Sequence, residues 1–358
     1  MSTPDEWWPE LAPRIEQSAA PRPRSRCIDA HTHLSVGPAA ALAKPYFRPE
    51  LEPRSLHSSA ETTRYNTEYR ASALNTAQFE DAEQRLQDMD AQGVDMQILS
   101  VPPTEYFYWL PEREAKRANR LQHERFAEVV AQWPDRFAAV ANVPMDHPAL
   151  AVEMLREARR DFGFGGVEIS ADVLGRELDD RRFDPVWEAV VELGMTVILH
   201  PQGFTHGQRF SDYYLVNVMC MPLASTLAVT RMILGGVWQR HPELRVMVVH
   251  GGGYLPFYVA RTDHAWRVRP ELRHELDVPP SEVMRSIFVD TNVFDATMVD
   301  HLVRSLGADH VLMGTDYPFD MSTVDPVAFL AGVQLDDADR ALVLGGNAAR
   351  LFGIDTAR

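Results

Sequence analysis

Eight short β-rich runs recur along this chain, and each is separated from the next by enough residues to form a helix. The runs cover residues 27–30, 94–100, 137–143, 165–170, 195–200, 246–250, 287–292 and 311–316. Between them lie patterns such as AVEMLREARRDFG and DPVWEAVVELG, whose apolar residues return every three or four positions, as in amphipathic helices. Alternating strands and helices indicate a parallel sheet, and eight such units predict an α/β fold, a (β/α)8 TIM barrel over residues 26–358.

A doubly wound open sheet is the alternative architecture for the same alternation. In its dinucleotide-binding form that fold carries a glycine-rich turn directly after the first strand, so that the backbone can approach a pyrophosphate. Here the corresponding turn reads HTHLSVGP, with its glycine in the wrong place. We therefore favour the barrel.

Two segments do not fit the repeating unit. Residues 1–25 contain Pro21 and Pro23 with an arginine between them, which excludes a regular helix there and predicts a poorly ordered or surface-packed N-terminal arm. Residues 35–80 form a connection too long for a simple βα loop, and long connections in compact domains are commonly lids or binding segments. We expect 35–80 to be an inserted lid after the first strand.

Composition excludes several classes of function. The 358 residues carry a formal charge of −16, which argues against binding to nucleic acid or to an anionic membrane surface. The two cysteines cannot form a disulfide framework, and we identify no apolar run of membrane-spanning length. The first residues, MSTPDEWWPELAPR, lack the apolar core of a signal peptide, so a cytoplasmic location is expected.

Histidines and one aspartate stand where the predicted strands end. His31 and His33 lie two apart on the first strand, so both imidazoles project to one side. His200, His250 and Asp316 close the fifth, sixth and eighth strands. The carboxyl ends of barrel strands meet at one mouth, where active sites of this fold lie. Imidazoles and a carboxylate at that mouth predict a site for one divalent ion, with zinc favoured over manganese or iron.

The chain resembles the amidohydrolase superfamily, and within it the branch of aminocarboxymuconate-semialdehyde decarboxylase and related non-oxidative decarboxylases. The matching strings run from about residue 27 to 354 and are DAHTH, SVPPTEYFYW, GFGGVEI, HP, MILGGVW, HGGGYLPFYVAR, GTDYPF and GNAARLF. The resemblance implies that His31, His33, His200 and Asp316 bind a single metal, while His250 stays off the metal and acts as acid and base. It also implies that Arg261 holds a substrate carboxylate across a subunit interface, and hence a homodimer or higher homo-oligomer.

The lysine count favours one metal over two. Relatives with two metals commonly bridge them with a carboxylated lysine on the fourth strand. This chain has only Lys44 and Lys116, and its fourth strand offers Glu168 instead. Glu168 either lines the site or is a structural hydrogen-bond acceptor.

The substrate-binding residues are less clearly specified. After the fifth-strand histidine the chain reads HPQGFTHGQRF, which departs from the decarboxylase pattern and places Gln202 in the substrate loop. Arg70, in EYRASAL, is the candidate for a second carboxylate-binding arginine, with Arg48 as the alternative. Aromatic side chains that could wall a flat substrate are Phe107, Trp109 and Phe319.

The function expected from these features is metal-dependent, non-oxidative decarboxylation of a small anionic substrate, an unsaturated or aromatic carboxylic acid, without an organic cofactor. A second hypothesis is hydrolysis of a lactone, amide or imine, in which Asp316 receives the proton of the nucleophile and His250 polarises the electrophile. A third is hydration of an unsaturated diacid on the same scaffold. A metal-storage or scaffold protein is the non-enzymatic alternative.

Overall fold

A computed structural model describes residues 15–52, 57–203 and 207–355. Strands form at all eight predicted runs, although the 137–143 run is broken into two short pieces. The strands at these runs are β1 (Ile28–His33), β2 (Met96–Ser100), β3 (Phe137–Ala139), β4 (Ala141–Asn142), β5 (Gly166–Ile169), β8 (Thr196–Leu199), β9 (Arg245–Val248), β10 (Ile287–Asp290) and β11 (Val311–Leu312). An additional hairpin, β6 (Asp172–Val173) and β7 (Arg176–Glu177), was not predicted.

The strands at the predicted runs pair in parallel, in two sheets. One has the order β1-β2-β3, and the other has the order β11-β10-β9-β8-β5-β4. Hydrogen bonds also join the two sheets at both ends. Val140 N donates to Leu99 O, while Ala30 N donates to Met313 O and His33 N donates to Tyr317 O. The sequence-based prediction of a parallel α/β fold is therefore confirmed.

Side-chain alternation along the strands divides the apolar core in two. Met96 and Ile98 of β2 belong to an inner cluster with Met247 and Leu312, whereas Leu99 belongs to the larger cluster that includes the helix residue Phe126. Every residue of β1, β2, β5, β8 and β10 is buried. This burial explains why most of these strands are rich in apolar residues, as is usual for parallel strands covered on both faces; β1 (IDAHTH), which supplies two of the site histidines, is the exception.

Helices follow the strands where the apolar periodicity predicts them. Helix 82–92 illustrates the local signals: the Asp81 side chain accepts from Glu83 N at its start, and Gly93 with φ of +74° ends it. The α-helices span Gly37–Ala43, Ala60–Ala71, Ala73–Glu80, Ala82–Gln92, Glu112–Gln132, Pro148–Asp161, Asp184–Glu192, Met221–Leu234, Val237–Arg240, Leu255–Val268, Pro280–Met284, Ala296–Leu306, Pro326–Ala331, Asp337–Ala341 and Asn347–Phe352.

The described part of the N-terminal arm lies on the protein surface. Ser18 N donates to Ala91 O, and the Ser18 hydroxyl donates to Asp325 Oδ1 at 2.8 Å. The Arg22 guanidinium forms an ion pair with Asp95. Residues 1–14 lie outside the described residues.

One helical stretch corrects the sequence analysis. Val216–Leu234 has the length and apolarity of a membrane span, although no such run was identified from the sequence. Half of this stretch is buried inside the protein. A core helix meets the same criteria, so the stretch is weak evidence for a membrane segment.

Candidate metal centre

Strand β1 carries the first two imidazoles into the protein, where both are almost fully buried. His33 Nδ1 lies 2.9 Å from the carbonyl oxygen of Val101, and His31 Nδ1 lies 2.7 Å from Asp290 Oδ2. His200, directly after β8, places its Nδ1 2.9 Å from the carbonyl oxygen of Pro201. Carbonyl and carboxylate oxygens accept hydrogen bonds, so each Nδ1 carries a proton, and in the neutral ring the lone pair lies on Nε2.

The three Nε2 atoms all face Asp316 Oδ1. Their distances from this oxygen are 3.4 Å for His31, 3.1 Å for His33 and 3.8 Å for His200. Asp316 follows β11 and adopts the left-handed backbone conformation, with φ of +65°, and its N–H donates to His31 O. The structure therefore brings together His31 and Asp316, which lie 285 positions apart in the sequence.

The fourth imidazole approaches from another side. His250 Nε2 lies 3.6 Å from Asp316 Oδ2, whereas the contacts of the other three histidines are with Oδ1. Its ring centroid is 5.1 Å from that of His200 and 5.3 Å from that of His31. His250 begins a tight turn with φ of +56°. It is thus adjacent to the other histidines, but it is not grouped with them around one oxygen.

Burial and neighbouring charges shift the pKa values of these side chains in opposite directions. Burial lowers the pKa of His31, and it holds the pKa of His200 well below its usual range. For His33 the loss of hydration also favours the neutral form, but the hydrogen bond with Asp316 and the charge of Glu168 together raise its pKa. Burial alone would raise the pKa of Asp316, yet the surrounding imidazoles hold that pKa well below its usual range. Asp316 is therefore ionised at neutral pH.

These residues fit a metal ion. One ligand atom from each of His31, His33, His200 and Asp316 lies within 4.8 Å of the other three, and all four residues are buried. The Nε2 atoms of His31 and His200 are buried without a hydrogen-bond partner among the described residues. Three nitrogen lone pairs and an ionised carboxylate match the donors that zinc and neighbouring divalent ions prefer. The arrangement therefore supplies both the donors and the charge for one such ion.

Glu168 lies beside this group on β5. Tyr106 Oη donates to Glu168 Oε1 at 2.9 Å, while Oε2 is buried without a hydrogen-bond partner among the described residues. Burial raises the pKa of Glu168 to about 7, against the opposing charge of His33. The residue therefore titrates near neutral pH next to the histidine group.

A row of aromatic contacts connects the histidines with Arg70. The Phe319 ring lies 5.2 Å from the His33 ring and 5.1 Å from the Phe79 ring, measured between centroids. The Arg70 guanidinium carbon lies 3.6 Å above the centroid of Phe79, and Arg70 Nη2 donates to Ser35 Oγ. Phe319, Phe79 and Arg70 also line a cavity of about 550 Å³. The loop arginine predicted from the sequence thus stands at a cavity next to the histidine group.

The other predicted substrate residues lie in different surroundings. Phe107 and Trp109 are buried with their rings 5.8 Å apart, and Trp109 Nε1 donates to Glu52 Oε1 at 2.6 Å. Gln202 Nε2 donates to Glu52 Oε2 at 2.9 Å and to the carbonyl oxygen of Pro103. Arg261 is exposed on helix 255–268 and makes no hydrogen bond to the histidine group within the part of the chain that the structure describes.

Sequence reasoning missed Asp290 and Glu52, both of which contact predicted site residues. Asp290 lies inside the seventh predicted run, 287–292, and ends strand β10, so a carboxylate near a predicted strand end was a signal that could have been used. Glu52 lies inside the long 35–80 segment, where no pattern distinguishes it from the other acidic residues. His206, in the HPQGFTHGQRF string after the fifth predicted run, lies outside the described residues.

Comparison with known proteins identifies the family. A sequence model of the amidohydrolase family matches residues 28–354, nearly the whole chain. The chain belongs to the amidohydrolase family. This amidohydrolase is 32% identical over 277 residues to the 2-amino-3-carboxymuconate-6-semialdehyde decarboxylase of Dictyostelium discoideum, covering 77% of each chain. The resemblance inferred from the sequence strings is confirmed.

Solved structures support the same relationship. The 5-carboxyvanillate decarboxylase of Sphingomonas paucimobilis matches with a TM-score of 0.81 and 25% identity, covering 92% of this chain and 99% of that one. The corresponding enzyme of Novosphingobium aromaticivorans, solved with manganese and 4-hydroxy-3-methoxy-5-nitrobenzoic acid, matches with a TM-score of 0.82 at 20% identity, covering 96% and 100%. The amidohydrolase therefore has the fold of these decarboxylases.

Proposed function

We propose that this amidohydrolase is a metal-dependent, non-oxidative decarboxylase of an aromatic or conjugated carboxylic acid. The observation that carries the proposal is the geometry around Asp316: three Nε2 lone pairs face Oδ1, and a fourth imidazole faces Oδ2. The first three imidazoles and the carboxylate would hold one divalent ion, which leaves His250 available to transfer protons. The decarboxylases among its relatives support carbon–carbon bond cleavage as the reaction.

We propose that the chain forms the closed (β/α)8 barrel predicted from its sequence, with segment 35–80 as a lid. The hydrogen bonds from Ala30 and His33 to the residues after β11 are those expected where the eighth strand meets the first. Helices 60–71 and 73–80 of the segment carry Arg70 and Phe79 to the cavity beside Phe319. The substrate would then bind between the strand ends and this segment.

The bound ion would act as a Lewis acid for the substrate's polar groups and would lower the pKa of bound water. The remaining chemistry belongs to protein side chains. Protonated His250 delivers a proton from Nε2 to the ring carbon that bears the carboxylate, which interrupts the conjugation. The carbon–carboxylate bond then breaks, its electron pair restores the conjugated system, and carbon dioxide leaves. His250 takes up a proton from solvent before the next turnover.

Arg70 would hold the anionic end of the substrate. Its guanidinium is fixed by the Phe79 ring and by Ser35, whose hydroxyl in turn donates to Glu105 Oε1 at 2.5 Å. A pre-positioned guanidinium loses little conformational freedom when it binds a carboxylate in bidentate fashion. Local attraction is required here because the net charge of −16 repels an anionic substrate at long range.

The proposal also includes the identity of the metal ion, the oligomeric state and the cellular compartment. Three imidazole donors favour zinc, and the manganese of the N. aromaticivorans enzyme makes manganese the next candidate. Arg261, exposed on helix 255–268, would reach the active site of a second subunit in a homodimer. The expected compartment is the cytoplasm.

The test is metal analysis combined with replacement of His250. We expect His250→Ala to retain the divalent ion and to lose at least about 100-fold in the rate of carbon dioxide release, the usual range for a general acid. His274→Ala, which removes an exposed histidine, is the matched control. Undiminished turnover in His250→Ala would contradict the proposal. Substrate consumption with water uptake and without carbon dioxide release would indicate hydrolysis or hydration instead.

A further inference from the structure

Asp290 is a fully buried carboxylate that the proposed reaction does not use. It ends β10 and makes three short contacts. Its Oδ2 accepts from His31 Nδ1 at 2.7 Å, and its Oδ1 accepts from Gly251 N at 2.8 Å and from Asn292 N at 3.2 Å. One carboxylate therefore touches the ring of His31 and the residue that follows His250.

We propose that Asp290 is a positioning residue that fixes the tautomer of His31 and, through Gly251, the turn that carries His250. The inference rests on the proposed function in taking His31 as a metal ligand and His250 as the proton donor. Asp290 would thus position two imidazoles with different roles, the metal ligand His31 and the proton donor His250.

The contact with His31 differs from those of the other two ligand histidines. His33 and His200 donate from Nδ1 to neutral carbonyl oxygens, at Val101 and Pro201, whereas His31 donates to a carboxylate. A carboxylate partner holds the proton on Nδ1 more strongly and makes Nε2 a better metal donor. Since His31 Nε2 is buried without a hydrogen-bond partner among the described residues, the orientation of this ring depends on Asp290.

The contact with Gly251 controls the backbone around His250. His250 has a φ of +56° and Gly251 a φ of +63°, so two consecutive residues adopt the left-handed conformation. Such a conformation is unfavourable for a residue with a side chain and persists only where its surroundings hold it. A Cβ at position 251 would lie 2.3 Å from Val293 Cγ1, which excludes other residues there. The Gly251 N–H bond to Asp290 ties this turn to β10, alongside the turn's own backbone bonds from Gly252 N to Val249 O and from Gly253 N to His250 O.

Gly314 leaves the space that Asp290 and His31 need. A Cβ at this position would lie 2.8 Å from Asp290 Cβ and 3.0 Å from His31 Cβ. The glycine of the GTDYPF string therefore allows the carboxylate and the imidazole to pack side by side beneath Asp316.

The experiment replaces Asp290 by asparagine, which keeps the shape and changes the hydrogen-bond chemistry. With the amide oxygen accepting from Gly251 N and Asn292 N, the amide NH2 faces His31 Nδ1. This forces the imidazole proton onto Nε2, the nitrogen that would bind the metal. We expect D290N to lose 10–100-fold in affinity for zinc, measured by chelator competition on the full chain. At saturating zinc we expect kcat to remain at least fivefold below wild type with KM unchanged, because the neutral amide oxygen accepts a weaker hydrogen bond from Gly251 N than the carboxylate does and so holds the His250 turn less firmly.

Asp88→Asn is the matched control. Asp88 is also buried and also accepts three hydrogen bonds, all of them from side chains, of Tyr317, Gln78 and Gln84, and none of them from a ligand histidine. We expect D88N to change zinc affinity less than threefold. An equal loss in D88N and D290N would overturn the inference, because it would indicate a general effect of removing a buried carboxylate.

The remaining outcomes separate this inference from the proposed function. A wild-type chain that binds no divalent ion overturns both. A wild-type chain that binds zinc, with D290N binding equally well, overturns only the role of Asp290 at His31, and full kcat in zinc-saturated D290N overturns its role at His250. If D290N does not fold, 15N NMR of the metal-free wild type decides the tautomer: His31 protonated on Nδ1 supports the inference, and protonation on Nε2 overturns it.

Discussion

The pKa of each of these histidines depends on its burial and on its hydrogen-bond partner, so the residue type alone does not set it. Burial lowers the pKa of His31 and His200, so both rings are neutral donors near pH 7. His33 is equally buried, but the hydrogen bond with Asp316 and the charge of Glu168 raise its pKa. The same desolvation operates at His123, which is not among the residues grouped around Asp316.

His123 provides a test of this physical account at the level of one residue. It lies on helix 112–132, its Nε2 donates to Asn142 O at 2.8 Å, and its ring contacts the rings of Phe162 and Phe164. Burial lowers its pKa from 6.5 to about 4. The unfolded chain therefore binds a proton between pH 6.5 and 4 that the folded chain does not, so His123 makes the free energy of unfolding fall as pH falls through this window.

The expected result is a smaller loss of stability on acidification in His123→Gln than in wild type. At roughly 1.4 kcal/mol per pH unit, the pKa difference corresponds to a contribution on the order of 3 kcal/mol between pH 6.5 and 4. Denaturant unfolding at several pH values in this window measures it. His274→Gln, at an exposed histidine, should keep the wild-type slope. Identical slopes for His123→Gln and wild type would contradict the prediction.

At the scale of elements, three chain segments converge on the side chain of Glu52. Glu52 lies in segment 35–80. Trp109, which follows β2, and Gln202, which follows β8, both donate hydrogen bonds to the Glu52 carboxylate. Glu52 is only 4% exposed, so these charge-assisted hydrogen bonds are shielded from water. They therefore fix segment 35–80 to the ends of two strands.

Replacing Glu52 by glutamine should loosen this connection. The amide offers one acceptor and one NH2 group, so either Trp109 or Gln202 then faces a donor, at a cost of about 1–3 kcal/mol. We expect a several-fold increase in KM for the acid substrate and a lower melting temperature, with metal content unchanged. Steady-state kinetics, thermal unfolding and metal analysis measure these effects. Glu68→Gln, on the exposed side of helix 60–71, is the control, and an unchanged KM in Glu52→Gln would contradict the expected role.

At the scale of the whole molecule, exposed apolar side chains occur on two helices next to Arg261. Tyr258 is 59% exposed and Phe257 is 44% exposed on helix 255–268, and Leu227 is 39% exposed on helix 221–234. Thr226 and Tyr258 line one small cavity between these helices, so the exposed residues lie close together. Exposed apolar residues grouped in this way are typical of subunit contacts.

We expect this surface to form the homodimer. Tyr258→Glu would place a charge on it and should convert a dimer into monomers with reduced decarboxylation, because Arg261 would then lose access to the second active site. Analytical ultracentrifugation and activity at several protein concentrations measure both effects. Leu174→Glu, an equivalent change on the β6–β7 hairpin, should leave the assembly intact. A wild-type chain that is monomeric at micromolar concentration would contradict this expectation.

Much of the architecture could be predicted from local patterns. The apolar runs specify strands because buried parallel strands must be apolar on both faces, and residues at the ends of such strands meet at one edge. That rule was sufficient to group His31, His33, His200, His250 and Asp316 from the sequence, whereas the division into four metal ligands and one acid–base histidine came from the family resemblance. The β6–β7 hairpin was not predicted, because strands of two residues leave no measurable alternation in the sequence.

The sequence by itself determined which possible metal donors stand at the strand ends, and its motifs identified the amidohydrolase family and its decarboxylase branch. Only the tertiary structure decided how those donors are oriented. The tautomer of His31 depends on Asp290, 259 positions away, and the attachment of segment 35–80 depends on a buried contact of Glu52. The physical reason is that a hydrogen bond requires two atoms at a particular distance and direction, and chain spacing does not encode this for residues that come together only when the core is packed.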